Sequence, residues 1–215
     1  MKQQSYRLEC ITPLFSAGVN ADFPEVRAAS IRGQLHHWFR QLGGTLQQER
    51  EIFGGIASRK FGMSDIASRL VVRVGSIEGR TGTIATLPHK SGGHAAPKAC
   101  FLPGSRFTLH LSFRRDVAPP DAEKLFQRSL RAWLLFGSLG TRATRGGGSL
   151  AMIDPFGPST VAEYTDAVSR ILHDAPVRAA ILEQDFHNEY SARAVISDTL
   201  GGPDRRNAGQ DSELA

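Results

Sequence analysis

The chain of 215 residues contains only two cysteines, Cys10 and Cys100, and neither belongs to a CxxC pair. That argues against a disulfide framework and a structural zinc site of the usual spacing, and points to a reducing, cytoplasmic setting. No run of about 18 apolar residues occurs, so no membrane span is expected. The opening MKQQSYRLEC passes directly into strand-like alternation, without the apolar centre of a secretory signal. Internal repeats are absent. Lysine is scarce, and none lies in the glycine-rich stretch Gly137–Leu150, GSLGTRATRGGGSL. A P-loop needs a strand, then GxxxxGK[ST], then a helix, and is thereby excluded. The dinucleotide fingerprint fails on order as well, because here an apolar helix precedes the glycines and a strand follows them.

What is abundant is arginine, unevenly placed. Residues 1–150 hold 21 Lys+Arg against 10 Asp+Glu, a net +11, whereas residues 151–215 hold 5 against 11, a net −6. Arginine excess suits bidentate phosphate contact and stacking on bases, so the basic part is expected to meet an anionic polymer. Within Gly137–Leu150, Arg142 and Arg145 supply permanently charged forks among glycines that reach φ > 0 and bring backbone close to a partner. The stretch reads either as a loop moulded to a nucleic-acid backbone or as a flexible helix-to-strand linker.

Periodicity organises the rest. Tyr6–Thr12 alternates as a strand ended by Pro13, and a turn-rich segment, Ser16–Arg27, follows. Ser30 is read as an N-cap for a helix carrying Ile31, Leu35, Trp38, Phe39 and Leu42, stopped by Gly43–Gly44, with Arg32, His36 and Arg40 on the opposite face. Glu49–Phe53 is a short helical turn, and Arg69–Val74 a strand rich in β-branched residues. Ser76–Gly104 shows no period and reads as a protruding loop or hairpin. Arg106–Phe113 alternates as a half-buried strand. Pro119–Pro120–Asp121 opens a helix with a core stripe of Leu125, Phe126, Trp133 and Phe136, and Ser149–Ile153 is the last strand. The order is βαββαβ, an α+β, ferredoxin-like (RRM-like) unit with a long insertion at about 76–104. It is expected to fill residues 1–155. Residues 156–200 are expected to add helices at Thr160–Ala175 and Val177–Gln184, and residues 201–215 to form a polar, mobile tail.

Four blocks then carry a resemblance: ITPLFSAG at Ile11–Gly18, PEVRAASIRGQLHHWFRQL at Pro24–Leu42, EREIFGG at Glu49–Gly55 and LLFGSLGTRATRGGGSL at Leu134–Leu150. In this order they resemble the RAMP superfamily of CRISPR effector subunits, nearest to the first-numbered Cmr subunit of type III-B complexes. The resemblance implies a non-catalytic subunit that binds guide RNA, target RNA or both near the guide 3′ end and touches neighbouring RAMP subunits, with no cofactor. That family's subunit usually carries two ferredoxin-like halves; this chain is expected to hold one plus helices.

Under that reading, the glycine loop (Gly146, Gly147, Gly148), Arg142, Arg145 and Ser149 lie against sugar–phosphate. Arg27, Ser30 and Arg32 form a second anion site at the first helix N-terminus, and His36, Arg40, Lys90 and Lys98 add contacts. Two alternatives stand beside it. One is a RAMP-type ribonuclease acting through Asp22, in the loop after the first strand, or through His36 or His37, whose imidazoles suit acid–base work. The other is a free-standing RNA-binding domain. His89, His94 and Cys100 match no usual zinc spacing, and no metal is expected.

Overall fold

The computed structural model describes residues 3–86, 97–114, 119–155, 157–179, 181, 185–188, 191–193 and 195. Alternation makes the central strands. In β1 (Gln3–Cys10), Leu8 and Cys10 are buried while Ser5 and Arg7 are exposed, and in β5 (Arg106–Phe113) Phe107, Leu109 and Leu111 are buried. A side-chain period of two sends these apolar groups to one face. β2 (Leu70–Glu78) adds Leu70, Val72 and Val74 to that face, and β6 (Leu150–Asp154) adds Leu150 and Met152. The strands pair antiparallel throughout, in the order β2–β5–β1–β6.

Two helices cover the apolar face. α1 (Ala28–Gln41) turns Ile31, Leu35 and Phe39 into it, and α3 (Pro120–Phe136) turns Phe126, Leu130 and Trp133. Trp38 and Phe136 meet edge to face at 4.7 Å between ring centroids, so both side chains pack on protein. A strand order with the first strand central and a helix after the first and third sheet strands is the ferredoxin-like arrangement, as the βαββαβ pattern indicated. The opposite sheet face is polar: Arg7 pairs with Glu78 at 2.8 Å, Arg106 with Glu9 at 2.6 Å, and Ser5 with His110 at 2.9 Å.

Several boundaries differ from those expected. The first strand ends at Cys10 and begins at Gln3. α1 begins two residues before Ser30, with Arg27 as its N-cap and no side-chain cap, so Ser30 sits in the first helical turn. The turn at Glu49–Phe53 belongs to a full helix, α2 (Leu46–Phe53), capped reciprocally by Thr45 and Gln48. Of the loop or hairpin expected in the aperiodic insertion, the structure has the hairpin, β3 (Thr81–Ala85) with β4 (Pro97–Phe101); a two-stranded ribbon with one sheltered edge needs no apolar period. Residues 87–96 between these strands, and the 201–215 tail, lie outside the described residues.

α4 (Val161–Leu172) is capped by Thr160 and Glu163 and packs Ile171 with Leu42 of α1's C-cap and Ala132 of α3. The helix expected at Val177–Gln184 is not found over its described residues: 177–179 and 181 are coil. Asp174 takes a left-handed φ of 57° that ends the helical path, and Val177 packs instead against the Leu42–Ala132–Ile171 cluster.

Phe126 is fully buried and meets Phe53 and Phe113 edge to face. Phe126→Ala is expected to lower unfolding free energy by about 3–5 kcal/mol, read as a fall in the urea midpoint with an unchanged slope.

Candidate nucleic-acid interface

The segment after β1 is buried at every residue from Thr12 to Ser16. Buried backbone must be hydrogen-bonded internally, and the glycine-rich stretch supplies the partners. Gly148 N–H donates to Pro13 O at 2.9 Å, Thr141 N–H to Phe15 O at 2.8 Å, and Ser149 N–H to Thr12 Oγ1 at 2.9 Å. Leu139 N–H donates to Gly148 O at 2.9 Å, closing the loop on itself. Between these ties runs a 3₁₀ turn, Ala143–Arg145, flanked by left-handed Arg142 (φ 67°) and Gly146 (φ 68°).

This docking explains two glycines. At Gly148 (φ 66°) a Cβ would stand 1.9 Å from Leu139 O, and at Gly140 (φ 85°) 2.4 Å from Phe15 O. Gly146, Gly147 and Gly148 are all buried, and their amides donate to Ala143, Arg142 and Pro13 carbonyls. The sequence suggested amides open to a ligand; the structure turns them inward, so the loop offers a shape and its side chains rather than a row of N–H donors. Arg142 is exposed at the turn, Arg145 is half-buried and Ser149 half-buried with its amide engaged.

Beside the loop lies a cleft of about 410 Å³ lined by Phe15, Ser16, Asp22, Lys98 and Thr141 among others. Its three walls are the segment after β1, β4 of the hairpin, and the start of the glycine loop. Leu14 and Phe101 hold the hairpin there by reciprocal backbone bonds of 2.9 and 3.1 Å. The structure thus brings Asp22, Lys98 and the Arg142 turn together from three separate parts of the sequence. Asp22 is fixed by an Asx-type bond from its N–H to Asn20 Oδ1 at 2.9 Å. Lys90, expected in the same insertion, lies outside the described residues.

Arg32, His36 and Arg40 do not face outward as a free basic stripe. Glu49 of α2, only 4% exposed, accepts from the Arg40 guanidinium at 2.8 Å and hydrogen-bonds His36 Nδ1. The His36 ring stacks on Phe53 at 3.8 Å, and Arg32 donates to Phe53 O. Burial pushes the Glu49 carboxyl up, but the hydrogen bonds and charges of Arg40 and His36 outweigh it and hold it below its ordinary value. The three residues therefore anchor α2 to α1. Arg27 remains exposed at the α1 N-terminus, and His37 is exposed beside Trp38.

Among the described residues no group of three His, Cys, Asp or Glu is placed to hold a metal ion. His89 and His94 lie outside them. Cys100 is buried and donates its thiol to Gly82 O at 3.6 Å, and burial pushes the Cys10 thiol up to about 12.

Sequence reasoning missed two contributors to this region. Thr141 lines the cleft and donates its hydroxyl to Phe15 O. Arg193, from a helical turn at 191–193, is 2% exposed, lies 5.3 Å over the Phe15 ring and donates to Thr86 O at 3.3 Å. No local pattern marks Arg193, one of five arginines in the acidic part of the chain.

A family model described as the RAMP superfamily matches residues 7–151, from β1 to β6. The chain belongs to the RAMP superfamily. Two subunits from Pyrococcus furiosus are similar to it in sequence. The CRISPR system Cmr subunit Cmr1-2 is 38% identical over 74 residues, 34% of this chain and 40% of that one. The Cmr subunit Cmr1-1 is 26% identical over 194 residues, 79% of this chain and 56% of that one. The chain thus spans about half the length of the curated relatives it matches. In fold, this RAMP chain is similar to the crystal structure of Cmr1 from Pyrococcus furiosus, with a TM-score of 0.63 at 21% identity over 100% of this chain and 76% of that one. A chain of a type IV-B CRISPR complex gives 0.52 at 15% identity, over 74% and 94%.

Two outcomes are expected here. Because the folded Glu49 carboxyl sits below its unfolded value, its stabilising contribution is present above the ordinary glutamate pKa and is lost as pH falls through the lowered one. Melting temperatures from about pH 3 to 6 should fall on acidification, and Glu49→Gln should flatten that limb while costing about 1–2 kcal/mol at neutral pH. Gly148→Ala should detach the loop from Pro13, seen as faster amide exchange at Thr141, Gly148 and Ser149 than in the parent protein.

Proposed function

We propose that this chain is a non-catalytic, RNA-binding subunit of a cytoplasmic type III-B CRISPR effector complex. It holds guide RNA, target RNA or both near the guide 3′ end and contacts neighbouring RAMP subunits. The observation that carries this reading is the cleft of about 410 Å³ where Lys98 and Thr141 meet beside the exposed Arg142 turn, on a RAMP-superfamily domain similar to Cmr1. In this reading residues 1–155 are the RNA-binding domain, and residues 156–200, with their acidic helix, serve subunit contacts.

Recognition is backbone-led. The open sheet face presents Ser5, Arg7, Thr108 and His110 at its centre, with no Phe, Tyr or Trp there of the kind on which RNA-recognition modules stack bases. Lys98 and Arg142 instead neutralise phosphates, Arg145 and Arg27 extend the path, and the fixed loop shape sets the register. Sequence is read by base pairing between guide and target, as in other RNA-guided systems. His36 takes no chemical role in this reading, because its ring is stacked on Phe53 and bonded to Glu49.

Single-stranded RNA affinity should fall steeply with salt, and the Lys98→Ala/Arg142→Ala double variant should reduce the log–log slope by about 1.4, from ~0.7 for each lost phosphate contact. An unchanged slope would remove the cleft from the interface. RNA cleavage abolished by Asp22→Ala would replace this reading with the ribonuclease one, since Asp22 lines the same cleft.

A further inference from the structure

A second recess lies elsewhere on the domain, along the seam between α3 and α4. Two clefts of about 370 and 530 Å³ adjoin there and share Gln127, Arg131 and Ile171. We propose that this seam binds a nucleotide bearing a phosphate monoester, with the phosphate on Arg131 and the base in the smaller cleft between Tyr6, Met152 and Pro158.

Arg131 is the cation that lines both clefts; Lys124, Arg128 and Arg170 line only the larger one. Arg128, on the same helix, is committed to the carbonyls of Ile171 and His173 at the end of α4, and Arg170 pairs with Asp166 at 2.6 Å. Arg131 makes no ion pair or hydrogen bond with any described residue, so its five donors are available in the fork geometry that fits a phosphate. Its charge also reaches into the recess: burial pushes the Tyr6 phenol up, and Arg131 opposes that shift. Among the described residues no carboxylate lines the smaller cleft; Glu123 lines only the larger one.

The rest of the smaller cleft suits a base. Leu134, Met152, Pro155 and Pro158 form apolar walls, and about 370 Å³ falls within the range of small-ligand sites, roughly 300–1,000 Å³. Gln4 and Gln127 bring amides that both donate and accept, the pattern needed at a base edge. The Tyr6 hydroxyl donates to Gln4 Oε1 at 3.3 Å, which orients that amide. Apolar walls, paired amides and one free guanidinium together describe a nucleoside monophosphate, either free or as the phosphorylated end of an RNA.

Among the described residues the site shares no lining residue with the Lys98–Thr141 cleft, so the two readings fail separately. The test is calorimetric titration of the full chain, in the Lys98→Ala/Arg142→Ala background, with AMP, adenosine, and adenylate tetramers with and without a 5′-phosphate. AMP should bind, adenosine should bind at least about tenfold more weakly, and Arg131→Gln should erase that difference. Phosphate-dependent binding of the tetramer alone, lost in Arg131→Gln, would assign the site to an RNA end rather than a free nucleotide. Arg131 is exposed, so its replacement leaves the fold intact. Absence of binding by both phosphorylated probes, or equal binding to parent and Arg131→Gln protein, would overturn the proposal.

Discussion

Thr12–Ser16 is a stretch of chain with no surface of its own, and its need for hydrogen bonds organises what surrounds it. Leu14 exchanges backbone bonds with Phe101 on one side, while Pro13 and Phe15 accept from the glycine loop on the other. An unpaired buried carbonyl costs about 1–3 kcal/mol, so each contact is strongly selected once the segment is enclosed. The hairpin, the glycine loop and the end of the first strand are consequently one mechanical unit. The cleft that unit forms inherits its rigidity, and rigid placement is what a backbone-reading surface requires.

The arginine surplus divides between construction and display. Arg32, Arg40 and Arg128 bond carbonyls or a carboxylate on neighbouring elements, Arg50 reaches the carbonyls of Ile56 and Ser64, and Arg69 pairs with Glu51 at 3.0 Å. Guanidinium suits this work because one planar head satisfies several acceptors at once. Exposed pairs such as Arg7–Glu78 add little stability, yet they neutralise the open sheet face and leave positive charge concentrated at the loop and along α3. Net charge alone therefore overstates how much of the basic half is free for a polyanion.

The elements most legible in the sequence were those whose burial follows one period. Phe107, Leu109 and Leu111 identify β5, with Arg106–Phe113 as its bounds, and Pro119–Pro120–Asp121 fixes the start of α3. The ribbon was legible only as a loop or hairpin without strand bounds, because β3 and β4 pair with each other and carry no apolar period to mark them. Arg32, His36 and Arg40 looked like a solvent-facing stripe, since helical spacing shows which residues share a face but not what covers it. The clue lay in Glu49, an acid inside the otherwise apolar side of LQQEREIF. For the cleft, Arg142 and Lys98 were legible as charges near glycine and turn signals. That Lys98 would share a cleft with Thr141, next to Arg142, was not, because it depends on backbone ties of Leu14 to Phe101 and of Phe15 to Thr141, residues far apart in the chain.

The strand order carries a consequence for synthesis. β1 lies at the centre of the sheet, but β5 begins at Arg106 and β6 ends at Asp154. At ribosomal speeds of ~5–20 residues per second, the first strand waits on the order of ten seconds before both neighbours exist. Both its edges are unpaired until β5 is made, and one remains so until β6 follows. The alternation of Gln3, Ser5, Arg7 and Glu9 on the other face keeps the nascent strand polar on one side, a safeguard against pairing with another chain before its own arrives.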